Sequence, residues 1–161
     1  MIRSATHDDA ESIARIYNHY ILNTVITFEE DAVTPTEMAG RIGKVQGASL
    51  PYLVDERDGR VIGYAYAARW HDRSAYRYSV ETTIYLDTGF VGKHIGSGLY
   101  TALLERLKAS GKHVAIGGIA LPNAGSVALH EKLGFEKVAH YREVGFKFNR
   151  WVDVGYWQHV L

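Results

Sequence analysis

The sequence predicts an α/β fold on one mixed, mostly antiparallel central sheet with helices on both faces, and three observations carry that expectation. Two β-type runs, Tyr52 to Glu56 and Val61 to Ala68, flank Asp58-Gly59, a dipeptide that favours a two-residue type I′ hairpin turn. Apolar residues recur at helical spacing in separate windows, Ala10, Ile13, Ala14, Tyr17 and Ile21 in one and Leu99, Leu103 and Leu107 in another. A third β-type run, Tyr78 to Leu86, passes through a glycine-rich turn straight into the second of those helices. At 161 residues, 47% of them hydrophobic, the chain suits a single domain over 1–161.

Each element has a local reason. Ile2 to Ala5 reads as a short strand, and Thr6 with Asp9 three residues on is close to a capping box that opens the first helix. Thr34-Pro35 opens a second helix, threonine as cap and proline at the first helical position. The helix carrying Leu99 to Leu107 ends near Gly111. Val114 to Ala120 reads as a strand, Ser126 to Leu133 as a helix, and the remainder as two more strands. There is no internal repeat, linker or low-complexity segment.

Composition narrows the function. Lys plus Arg and Asp plus Glu both total 18, and no basic stripe carries interleaved aromatics, so nucleic-acid binding is unsupported. The N-terminus lacks a hydrophobic core region and no window is apolar enough to span a bilayer, which points to a cytoplasmic protein. Without cysteine there is no disulfide, no thiolate metal site and no thioester intermediate on the chain, so any acyl transfer should pass directly from donor to acceptor.

The most informative stretch is Val91-Gly92-Lys93-His94-Ile95-Gly96-Ser97-Gly98. Glycines at a helix N-terminus let an anion approach unpaired backbone N–H groups where the helix dipole adds positive character, so the ligand should carry phosphates. A P-loop would need a glycine at Asp87 and Ser or Thr at His94; a dinucleotide fingerprint fails because Gly98 is followed by Leu99-Tyr100-Thr101. The stretch resembles the acyl-CoA loop of the GNAT superfamily of N-acetyltransferases, with Val91 in place of its Arg or Gln and His94 in place of its first glycine. Downstream, Asn123 followed by Glu131-Lys132-Leu133-Gly134-Phe135 resembles the second signature of that superfamily. His130 occupies the position where a tyrosine is common. That histidine, with Asn18-His19-Tyr20-Ile21, Trp70-x-x-Arg73-x-x-Tyr76, Glu81-x-Thr83-x-Tyr85 and Asp153-Val154-Gly155-Tyr156-Trp157-Gln158, resembles the phosphinothricin N-acetyltransferase group over essentially the whole chain.

The resemblance implies a fold with two central strands splayed apart and a site with named parts. Glu81, mid-strand in Ser79-Val80-Glu81-Thr82, is either a solvated strand residue or a carboxylate held inward for a purpose; the family match makes it the general base. His130, which by itself reads as an ordinary helix histidine, becomes a proton-handling group, as acid toward the departing thiolate or as a partner of Glu81. His130-Glu131-Lys132-Leu133-Gly134 is not a zinc motif, since Gly134 stands at the second ligand position, and no metal is predicted. Arg73 and Tyr76 match acceptor-binding residues, with Phe28 lining the same pocket; an arginine fork suits a carboxylate or phosphinate. His71 stands where the resembled enzymes carry lysine. The cofactor-binding set is the backbone of Ile84, Tyr85 and Leu86 along the pantetheine arm, Gly92, Lys93, His94, Ile95, Gly96 and Ser97 at the pyrophosphate, and Asn123 beside the arm. His94, at the threshold of a helix, is expected to take an ordinary right-handed conformation.

The function implied is acetyl-CoA-dependent transfer to the α-amino group of a small glutamate-like amino acid such as phosphinothricin or methionine sulfoximine. The alternatives are another L-amino acid or a polyamine as acceptor, or a CoA-binding module without catalysis. The aromatic C-terminal strands, with Phe146, Phe148, Trp151 and Trp157, carry more large apolar surface than a small domain needs outside its core, and a homodimer is expected.

Overall fold

A computed structural model describes residues 1–161. Seven strands form one sheet in the order β1-β2-β3-β4-β5-β7-β6: β1 Ile2–Ser4, β2 Tyr52–Arg57, β3 Arg60–Arg69, β4 Ser79–Leu86, β5 Val114–Leu121, β6 Glu136–Lys147 and β7 Arg150–Val160. Four helices complete it: α1 Ala10–Asn23, α2 Pro35–Gly47, α3 Ile95–Ala109 and α4 Ala124–Lys132. All neighbouring strands run antiparallel except β4 and β5.

The local signals act where expected. Asp58 (φ 49°) and Gly59 (φ 74°) both take positive φ between β2 and β3, as a type I′ turn requires. Thr34 caps α2, its hydroxyl accepting from the Glu37 N–H at 3.2 Å while the Glu37 carboxylate accepts from the Thr34 N–H at 2.8 Å. At the start of the chain the Asp9 carboxylate accepts from the Thr6 N–H at 2.8 Å, and a short 3₁₀ turn, His7–Asp9, leads into α1.

Period-two alternation divides the sheet into two faces. Tyr52, Val54 and Tyr64 pack with Ile13, Ile21, Met38 and Ile42 of α1 and α2. Leu53, Ala65, Val80, Ala115 and Trp157 pack with Leu99, Tyr100 and Leu103 of α3 on the other side, against which α4 also lies. Each face therefore has its own core.

One interruption in the sheet positions the site. β4 pairs with β3 from Val80 to Leu86, and β5 pairs with β7 from Val114 to Leu121, but β4 and β5 pair with each other only over Ser79–Glu81 against Val114–Ile116. Beyond Glu81 the two strands diverge and their facing backbone edges have no strand between them. Such edges can accept an extended, amide-bearing ligand.

Candidate active site

Glu81 is the last residue of β4 paired with β5, so it stands at the apex of the divergence. Its neighbours Val80 and Thr82 point to the α3 side, Val80 in that core and Thr82 against Tyr100, so Glu81 points to the α1/α2 face. Gly118 on β5 leaves room there: a Cβ added to it would lie 3.6 Å from Glu81 Oε1 and 3.1 Å from the Tyr156 ring. Burial pushes the Glu81 carboxyl above the usual carboxylate range, a rise partly opposed by nearby His71. A half-buried carboxyl with raised affinity for a proton is suited to act as a base near neutral pH.

On the diverging side, α3 and α4 enclose with β4 a cavity of about 590 Å³. Ile84, Tyr85, Leu86, Gly92, His94, Gly96, Ser97 and Asn123 all line it. Ile84 is three residues along β4 from Glu81, roughly 10 Å of strand. Asn123 caps α4, its Oδ1 accepting from the Ser126 N–H at 3.2 Å, which leaves its amide N–H₂ free. The Leu86 carbonyl already accepts from the Tyr20 hydroxyl at 2.6 Å. The first turn of α3 presents its unpaired backbone N–H groups at the Gly92-to-Ser97 end, the arrangement that suits a pyrophosphate. These residues fit an acyl-CoA donor.

Two members of the expected loop set fall outside the lining. The Lys93 ammonium lies over the Phe90 ring, 5.3 Å from its centroid, and the Ile95 side chain is buried in the α3 core. Nine lining residues were missed in the sequence, among them Tyr20, Ser126, Leu129 and Lys132. The last three recur at helical spacing along α4 from its cap at Asn123, so helical phasing would have found them.

The structure corrects His94. Its φ of 60° and ψ of 7° place it in the left-handed region, not the right-handed one, so this position keeps the backbone shape of the glycine that the family pattern has there. Gly92, two residues before, is also at positive φ (80°). Both residues lie in the turn that joins the short 3₁₀ segment Thr88–Phe90 to α3.

The structure also separates His130 from Glu81. His130 is buried on the α3/α4 side of the sheet, whereas Glu81 faces α1 and α2, so the two are not partners. His130 Nδ1 must donate to the Ser126 carbonyl, which can only accept, at 2.7 Å; Nε2 therefore accepts from the Tyr100 hydroxyl at 3.1 Å. Tyr100 in turn shares a 2.6 Å hydrogen bond with Thr82 on β4. Gly117 permits this close fit, since a Cβ there would sit 2.5 Å from His130 Nε2. Burial pushes the His130 pKa down, which keeps the ring neutral. Its way to the cavity runs through Ser126, whose hydroxyl is 3.5 Å from Nδ1.

His71 and Tyr156 neighbour Glu81, Tyr156 across Gly118. The loop between β3 and β4 forms a 3₁₀ turn at Ser74–Tyr76, with Arg73 at its start and exposed. Trp70, His71 and Tyr76 pack in sequence, tilted at 4.8 Å and edge-to-face at 5.0 Å between ring centroids, and Trp70 packs edge-on against Tyr156 at 5.7 Å. Phe28 lies across Gly145 of β6, where any Cβ would overlap its ring. No group of three His, Cys, Asp or Glu side chains could hold a metal ion, and no helix is long and apolar enough to cross a membrane.

A strand divergence, a helix N-terminus opening on a cavity beside it and a carboxyl at the apex define an acyl-CoA-dependent transferase. Residues 2–155 match the model of the acetyltransferase (GNAT) domain, and the chain belongs to that family. It is 40% identical to a phosphinothricin N-acetyltransferase of Streptomyces viridochromogenes, over 98% of this chain and 85% of that one. It is 36% identical to an L-methionine sulfoximine/L-methionine sulfone acetyltransferase of Salmonella typhimurium, over 98% and 92% respectively. The crystal structure of a phosphinothricin acetyltransferase from Sinorhizobium meliloti in complex with acetyl-CoA superposes with a TM-score of 0.97 at 40% identity, covering 100% of this chain and 88% of that one.

Proposed function

We propose that this enzyme acetylates the α-amino group of a small glutamate-like amino acid, of the phosphinothricin or methionine sulfoximine type, by direct transfer from acetyl-CoA. The carrying observation is Glu81, a half-buried carboxyl of raised proton affinity at the apex of the β4/β5 divergence. Glu81 takes a proton from the acceptor ammonium, directly or through a water. The freed amine attacks the thioester carbon; the C–N bond forms, the C–S bond breaks, and the sulfur leaves as thiolate. The second proton that the nitrogen loses on becoming an amide goes through solvent to the thiolate, and His130, neutral with both ring nitrogens engaged, positions Ser126 beside the cavity. Arg73 holds the acceptor's carboxylate or phosphinate, with Phe28 and Tyr76 closing the same pocket.

Thiol release from acetyl-CoA across a panel of phosphinothricin, methionine sulfoximine, methionine sulfone and a polyamine tests the reading. Turnover with the anionic amino acids is the expected result. Turnover confined to the polyamine would overturn the assignment of Arg73, and no turnover with any acceptor would favour a CoA-binding module.

The same proposal includes a homodimer. β6 is an edge strand, and the β6–β7 hairpin exposes Val144, Phe146, Phe148 and Trp151, each more than half exposed, with the Phe146 and Trp151 rings in tilted contact at 4.7 Å. Sedimentation at micromolar concentration should show twice the 18.0 kDa chain mass.

A further inference from the structure

The loop between α1 and α2 touches the donor cavity and the β6–β7 hairpin at once. Ile26 lines the cavity, and Phe28, two residues on, lies across Gly145 of β6. The ends of the loop are held by the helices. Thr24 Oγ1 donates to the Tyr20 carbonyl at 2.7 Å, and the Asn18 side chain donates to the Val33 carbonyl at 2.9 Å and accepts from the Val33 N–H at 2.8 Å. Arg41 of α2 donates to Glu29 through both of its terminal nitrogens, at 2.6 and 2.8 Å.

The middle of the loop is held by β6. Strand alternation turns Gly145 and Lys147 inward, both buried, while Val144 and Phe146 face out. The Phe28 ring covers Gly145, and the Thr27 carbonyl accepts from Lys147 Nζ at 2.8 Å. Two consecutive loop residues therefore meet two successive inward positions of one strand. Lys147 is itself fixed in place, because it pairs with Arg150 across a two-residue turn, Phe148-Asn149, in which both residues have positive φ (51° and 57°).

A lysine is a costly residue for that position. Lys147 is 2% exposed, its hydrogen bond is to a neutral carbonyl, and burial pushes its pKa down although Glu29 and Glu30 favour its charge. A methionine of similar length would fill the space without that cost, but it could not donate. A ring lying over a glycine is a contact without direction, free to slide along the strand. A hydrogen bond at the adjacent residue has direction and fixes the register of the loop on β6.

We propose that Lys147 is a positioning residue for acceptor binding: its hydrogen bond to the Thr27 carbonyl holds the α1–α2 loop so that the Phe28 ring stands where the acceptor packs. This rests on the place given above to Phe28 in the acceptor pocket. Lys147 is not among the residues that line the donor cavity, so its loss should act on the acceptor and spare the donor.

Lys147→Met keeps the length of the side chain and removes the donor, and Lys147→Gln keeps a buried N–H. With the acceptor of the panel above that is turned over fastest, Lys147→Met should raise the acceptor KM at least fivefold, with kcat and calorimetric acetyl-CoA affinity within twofold of the parent. Lys147→Gln should raise KM less. In a Phe28→Ala background, which by itself raises KM, Lys147→Met should add no more than twofold, since both changes act through one ring. Amide hydrogen exchange at residues 26–29 should be faster in Lys147→Met, a readout that needs no acceptor. Unchanged exchange there overturns the proposal whatever the panel shows, and so does an unchanged KM in Lys147→Met, a parallel loss of kcat and acetyl-CoA affinity, or independent effects in the double variant. A raised KM in Phe28→Ala with none in Lys147→Met strikes this inference and leaves the acceptor pocket standing. An unchanged KM in Phe28→Ala removes Phe28 from that pocket, and the route from Lys147 falls with it.

Discussion

The donor side and the acceptor side of the β4/β5 divergence are built from different materials. Toward α3 and α4 the site is made of backbone: free strand edges, a helix N-terminus, Gly92 and His94 at positive φ, and the Asn123 cap. Toward α1 and α2 the acceptor side proposed above is made of side chains drawn from separated segments, Phe28 after α1 and Arg73 and Tyr76 between β3 and β4, with Tyr156 on β7 nearby. Backbone sites tolerate substitution wherever the fold is kept, whereas side-chain sites depend on identity. The first kind recognises what all acyl-CoA donors share, and the second can be retuned to a particular acceptor.

Substitution on the acceptor side should accordingly give the largest losses. Glu81→Gln keeps the shape of the side chain but removes the base, and kcat should fall by about a hundredfold or more with little change in acetyl-CoA affinity. Stopped-time thiol release and calorimetric titration measure the two quantities. A loss below about fivefold would show that Glu81 is not the base. The pH profile sharpens the point: because burial raises the Glu81 pKa, the acid limb of kcat/KM should lie above the range of a solvated glutamate.

Arg73→Ala should come next and act differently. Losing a charge-assisted hydrogen bond to an anionic acceptor costs roughly 1.5–3 kcal/mol, which should appear as a KM raised by about tenfold or more. An unchanged KM would move the acceptor anion elsewhere in the loop.

On the α3/α4 side the buried His130 makes a prediction about stability. Its folded pKa lies below the ordinary value near 6.5, so the unfolded chain takes up the proton first as pH falls. Its contribution is therefore fully present above that ordinary value and is lost as pH drops through the interval down to the depressed folded pKa. Within that interval one proton corresponds to a slope of about 1.4 kcal/mol per pH unit. Urea unfolding between pH 7 and pH 5 should show a shallower slope for His130→Gln than for the parent; equal slopes would mean the histidine is not held neutral by the fold.

The same contrast separates the features that the sequence alone carries from those that only the fold assembles. The hairpin at Asp58-Gly59, the capped start of α2 and the glycine turn into α3 are local, so a few consecutive residues carry the whole signal. Glu81 stood out as a carboxylate in the middle of a strand of otherwise neutral residues, but the residues alone left open whether it faced solvent, and only the family resemblance favoured an inward carboxylate. Its separation from His130 was hidden because it depends on which face of the sheet each packs against, a property of α4 and β4 together. A hollow between α2 and strands β2 and β3 was invisible for the same reason: the Tyr17, Tyr52, Tyr64 and Tyr66 that line it come from three elements, and each alone reads as core.

The smallest expected effect is at His94, and it bears on how far the donor side depends on backbone alone. A histidine at φ 60° has a conformational cost of roughly 1–2 kcal/mol that glycine avoids, while glycine gives the unfolded chain more freedom, and the two effects oppose each other. His94→Gly should therefore leave stability within about 1 kcal/mol and acetyl-CoA affinity within about tenfold. Gly96→Val is the contrasting variant: the position is buried, and a Cβ there already reaches Leu129 and Leu86 at 3.4 and 3.5 Å, so two further methyls must displace the cavity wall. Its affinity loss should exceed tenfold. Calorimetry on both variants orders them, and if His94→Gly were the more harmful, the imidazole itself would be gripping the donor and the cradle would not be a backbone device.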